Sequence, residues 1–161
     1  MLLSDIFIDP PKLSVDEYRI ALIGKVYFAQ QFIKELLPFE QQMLQLPKTQ
    51  ETLEQLLKLD ARRESYMMLM VIYLCELIGE GENNKISIYN DPVRKNDKRW
   101  REFYGKYRHN IYELKYIRNS LYAHTDVKAL NKDWESKPNF WQFIDDAIKF
   151  LFDFFSKEYP I

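Results

Sequence analysis

Glycine is scarce, with four residues in a chain of 161. Tight turns with positive φ are therefore few, which argues against a many-stranded β architecture and for helices. Cysteine is scarcer. Cys75 stands alone, so no intramolecular disulfide can form; inside an apolar stretch it reads as a small buried hydrophobe. Long apolar runs are missing too. The longest, Tyr66 to Cys75, is ten residues, about half of the roughly 20 that a membrane-crossing helix needs. The opening MLLSDIFIDPPK has an acid and two prolines where a signal peptide carries basic residues and an apolar stretch. The expected location is the cytoplasm, without a membrane partner. A net charge of −1 gives no global field toward nucleic acid.

Aromatic residues are plentiful. Eleven Tyr, eleven Phe and three Trp point to a core or interface built from large rings. Charge is uneven despite its small total: residues 92–118 carry nine Lys/Arg against three Asp/Glu, and the rest of the chain is acidic. Length and composition fit one globular domain over 1–161.

Periodicity predicts four helices. Ser14-Val-Asp-Glu17 is a capping box that starts the first at about Val15. Pro38 should bend or end it near Leu37, with a helical continuation to about Gln45 plausible. Thr49 caps a second helix over roughly Gln50–Ile78, closed by Gly79 and Gly81. Its second half, YMMLMVIYLCELI, is apolar all round and should be buried on all sides, in the monomer core or between subunits. Asp91-Pro92 resembles a helix start, giving a third helix over about Arg94–Leu121 with an apolar stripe of Trp100, Phe103, Tyr107, Ile111, Leu114, Ile117 and Leu121. Pro138 begins a fourth, to about Lys157. Residues 79–92 read as a connection. The expected fold is all-α, an antiparallel four-helix-type bundle with extra short helical segments.

One string carries chemistry. Residues 116–126 read YIRNSLYAHTD, and Arg118, Asn119 and His124, with Ala123 before the histidine and Asp126 after it, resemble the signature of the HEPN superfamily of helical domains, especially its abortive-infection branch. The resemblance implies a metal-independent endoribonuclease acting as a homodimer, a toxin or phage-defence effector, with an antitoxin protein as a candidate partner. One branch carries a tyrosine two residues after the histidine that an antitoxin modifies; Asp126 stands there instead, so that mode of silencing does not carry over. The residue types suit the chemistry. Attack by the 2′-hydroxyl of RNA needs a group that exchanges protons near neutral pH, as histidine does. Charge gathering on the phosphate oxygens needs a permanent cation, as arginine is. Asn119 can donate to phosphate or hold the His124 ring. No cofactor and no metal ligand set is expected; Tyr122 and Asp126 are candidate cleft-lining residues.

Spacing sets a condition on this site. Arg118 and His124 are six residues apart, about 120° around an ideal helix and about 9 Å along it. Either the helix distorts near Tyr122-Ala123 or a second chain completes the site. A two-fold dimer with two copies of His124 at one cleft would also supply both an acid and a base. Arg94, Arg101, Arg108 and Lys115 recur every seven residues, a basic rail suited to RNA phosphates. The alternative from another class is a non-catalytic HEPN-like module that binds a nucleotide or a protein; a third is a purely structural helical adaptor.

Overall fold

The computed structural model describes residues 13–81, 83–123 and 138–156, without the side chains of 120–123 and 138. Four α-helices and no strand are found among them: α1 (Val15–Gln45), α2 (Gln50–Ile78), α3 (Lys98–Ala123) and α4 (Pro138–Ser156). Two 3₁₀ turns, Ile88–Asn90 and Arg94–Asn96, occupy the connection between α2 and α3.

Local chemistry explains the helix starts. The Ser14 hydroxyl accepts from the Glu17 amide while the Glu17 carboxylate accepts from the Ser14 amide, so two otherwise orphaned donors are satisfied. Thr49 and Thr52 do the same for α2. Pro38 lies inside α1 without ending it. It is exposed, so water can reach the carbonyl that its missing N–H leaves unbonded, and the helix runs on to Gln45. The third helix starts four residues later than the spacing predicts. The Asp91 carboxylate accepts from the Val93 and Arg94 amides and thereby caps a 3₁₀ turn. Asp97 then accepts from the Arg99 amide and opens α3.

Cross-helix contacts fix the topology. Glu40 meets Arg63 and Lys25 meets Tyr73 between α1 and α2; Trp100 and Phe103 meet Phe150 while Tyr107 meets Phe143 between α3 and α4. In both pairs rising numbers meet falling ones, so neighbours run antiparallel. The core draws on all four helices, with Leu22, Ile33, Met70, Leu74, Ile111, Leu114, Phe143 and Leu151 essentially inaccessible to solvent. The α3 stripe is buried from Trp100 through Ile117; the side chain of Leu121 lies outside the described residues. Asp145 turns to Gln30 and Lys34 on α1 and Asp146 to Tyr107 and Lys106 on α3, so these sequence neighbours serve different interfaces.

Two regions depart from complete burial. Between residues 34 and 66 no side chain is buried: the distal parts of α1 and α2 form a two-helix arm reaching about 18 Å past the last buried turn of α1. The second half of α2 is not enclosed on every side either. Met68 and Leu69 remain about 40% exposed, because α1 and α3 cover only part of its circumference.

Candidate functional site

The helix that carries the motif also sorts its cations. Lys98 pairs with Glu102, Arg99 with Asp97 and Lys106 with Asp146, and the one described histidine, His109, lies 3.7 Å from Glu113. Arg101, Arg108, Lys115 and Arg118 have no ion-pair partner among the described residues. At about 100° per residue, Arg101, Arg108 and Lys115 fall within an arc of about 40°, and Arg118 lies about 60° beyond Lys115. The four unpaired cations therefore share one flank of α3, and the paired ones lie off it.

An aromatic side chain interleaves with them. Tyr112 is 66% exposed, and helical spacing puts it within about 60° of Arg108 and Lys115. Gly105 belongs to the same flank. A Cβ there would meet nothing within 4 Å, so packing does not require the glycine. The result is an open, basic strip about 25 Å long from Arg101 to Arg118, with the Tyr112 ring beside it.

Arg94, expected as the first member of the rail, is not on the helix. It sits in the second 3₁₀ turn, its Nη2 donates to Asp16 at 2.6 Å, and its guanidinium lies 5.1 Å from the Phe155 ring centroid. The heptad spacing holds, but the chain leaves the helix before reaching back to Arg94. The strip thus begins at Arg101.

At the other end, Arg118 is half-buried and donates to Asn119 Oδ1 from Nη2 at 3.1 Å and from Nε at 3.3 Å. Asn119 therefore orients the arginine, while its own side-chain amide N–H groups remain available. Arg118 and Lys115 project their field toward Cys75 on α2, where they favour the thiolate; burial outweighs them and pushes the Cys75 thiol up to about 12. That thiol is structural, not nucleophilic. His124, Thr125 and Asp126 lie outside the described residues, as does the side chain of Tyr122. The backbone of α3 is helical through Tyr122 and Ala123. Among the described residues no three His, Cys, Asp or Glu side chains gather closely enough to hold a metal ion, and no helix is long and apolar enough to cross a membrane.

Sequence reasoning missed Tyr112 and Gly105. Their signal was present, since they lie close to the helical phase of the basic rail; it is found only by reading that outward phase with the same care as the apolar stripe. No protein-family model, curated protein or solved structure matches the chain.

Proposed function

We propose that the chain is a metal-independent endoribonuclease of the HEPN type, whose RNA lies along the α3 strip and is cut beside Arg118. The observation that carries this reading is the segregation of unpaired cations. Among the described residues α3 pairs its other lysines and arginines and leaves four without a carboxylate, on one flank, leading to the Arg118-Asn119 pair that the HEPN-like signature singles out. Phosphate contacts are the use for which a row of unpaired cations beside an exposed ring is suited.

In this mechanism Arg118, held by Asn119, stabilises charge on the phosphate oxygens as phosphorus becomes five-coordinate. His124 removes the 2′-hydroxyl proton or returns one to the leaving 5′-oxygen. A second protomer supplies the other proton carrier, which makes a homodimer part of the proposal. The partly uncovered apolar flank of α2 supports association of that kind.

The test is cleavage of labelled single-stranded RNA by the purified protein, with and without EDTA. The expected products carry 2′,3′-cyclic phosphate ends, at a rate unchanged by EDTA. His124→Ala and Arg118→Ala each lower that rate by about 100-fold or more. RNA that is bound but not cut would replace this reading with the non-catalytic binding module. Cleavage unaffected by either substitution would place the activity elsewhere.

A further inference from the structure

A second concavity lies at the far end of α3, about 25 Å from Arg118. It has a volume of about 410 Å³ and forms where the two 3₁₀ turns meet the first turns of α3. Its walls are rings: Tyr89 and Tyr104 have centroids 5.5 Å apart, and Trp100 lies 5.7 Å from Tyr104. Its rim carries Lys95 and Arg101.

The charge balance of this cleft is lopsided. Most of the described carboxylates nearby are paired with cations, Asp16 and Asp91 with Arg19 and Arg94, Asp97 with Arg99 and Glu102 with Lys98, while Glu80 meets the neutral Tyr104 hydroxyl. Lys95 and Arg101 have no partner among the described residues. Two cations without an ion-pair partner among the described residues thus line the concavity, and Glu80 is the one described carboxylate beside it that meets no cation. Asn90 and Asn96 also line it. Asn90 donates to the Gly81 and Asn84 carbonyls and Asn96 to the Pro92 carbonyl, so Asn90 offers its side-chain oxygen as an acceptor and Asn96 offers its oxygen and one N–H. Tyr89 is 39% exposed, so its ring is accessible to a flat ligand.

Cations for an anion, an open ring for a planar group, and two amide oxygens for hydroxyl or amino donors together describe one ligand class. We infer that this cleft binds a nucleoside phosphate, with the phosphate on Lys95 and Arg101, the base against Tyr89, and Asn90 and Asn96 accepting from the sugar or the base. The volume lies within the range of small-molecule sites. The ligand can be a free mononucleotide or one nucleotide of a strand that continues along α3. The inference does not rest on cleavage, and it would hold for a chain that cuts nothing.

The test is calorimetric titration with each of the four nucleoside 5′-monophosphates, with inorganic phosphate, and with a short RNA lacking a terminal phosphate, against wild type, Lys95→Glu, Tyr89→Ala and Arg118→Ala. Lys95 and Tyr89 are exposed, and circular dichroism confirms that their variants fold. The expected result is mononucleotide binding that Lys95→Glu and Tyr89→Ala each weaken at least tenfold and Arg118→Ala leaves intact. Inorganic phosphate should bind more weakly and respond to Lys95→Glu but not to Tyr89→Ala. If the RNA alone binds, with the same losses in Lys95→Glu and Tyr89→Ala, the occupant is a nucleotide of a strand. Absence of binding by mononucleotide and RNA at millimolar concentration, or binding indifferent to both cleft substitutions, would overturn the inference. A loss of RNA cleavage in His124→Ala or Arg118→Ala with intact nucleotide binding would keep the two sites separate.

Discussion

The arginines at the foot of α3 and those along its outer flank have opposite environments. Arg19 is 2% exposed; it donates to the Ile86 carbonyl at 2.6 Å, to Asp91 at 2.8 Å and to Asp16 at 3.0 Å, and Arg94 shares Asp16. This cluster ties the start of α1 to the loop ahead of α3, and its charges satisfy one another. Arg101, Arg108, Lys115 and Arg118 meet no carboxylate among the described residues. The same residue types therefore hold the fold in one region and are left open to a ligand in the other. Their separation predicts that stability and RNA binding can be damaged independently.

The largest effect should fall on the foot. Arg19→Met leaves the partly buried Asp16 and Asp91 to share Arg94 alone and should cost about 3 kcal/mol of stability, measured by urea denaturation. The same change at Arg101, which is exposed, should stay within about 0.5 kcal/mol. Equal costs at both positions would erase the distinction.

Acid should attack the foot as well. Burial alone would push the Asp91 carboxyl up, but hydrogen bonds from the Arg94 amide, the Arg19 side chain and the Val93 amide outweigh it and hold the group below the usual carboxylate range. A carboxyl depressed in the folded state contributes stability that is fully present above its unfolded value, about 3.9, and is lost as pH falls through the lower folded value. Wild type should therefore lose stability as pH falls below about 4, and Asp91→Asn should show a shallower dependence there. Parallel pH profiles for the two proteins would remove Asp91 from the account.

The smallest effect belongs to the flank. Gly105 is exposed in mid-helix with open space around it, so Gly105→Ala should stabilise by about 0.5–1 kcal/mol. A destabilised variant would mean that the glycine is needed for packing after all.

How far these contrasts could be read from sequence depends on periodicity. The capping residues Ser14 and Thr49 announce α1 and α2 through local hydrogen bonds that need no tertiary context, and the buried stripe of α3 follows from helical spacing alone. The start of α3 was misplaced because Asp91 and Asp97 are both good N-caps and only the first was used. Arg94 shows the same weakness in the site: seven-residue spacing says nothing about whether the chain is still helical. The nucleotide-sized cleft had no signature, since its residues come from two 3₁₀ turns and a helix end that share no period. The Arg118-Asn119 pairing is adjacent in sequence, yet the lack of a carboxylate partner for Arg118 among the described residues could only come from the fold.

The central claim is that the unpaired flank of α3 is an RNA-phosphate surface. It is tested most directly by the salt dependence of RNA binding, followed by fluorescence anisotropy with a labelled single strand in EDTA. Each phosphate contact to a single strand contributes about −0.7 to the slope of log K against log salt. Arg101→Glu/Arg108→Glu should weaken binding at low salt and flatten that slope by about 1.4, whereas Lys98→Glu/Lys106→Glu, on the paired face, should leave the slope unchanged. An identical slope in wild type and in the Arg101→Glu/Arg108→Glu protein would contradict the claim and return the flank to ordinary charged surface.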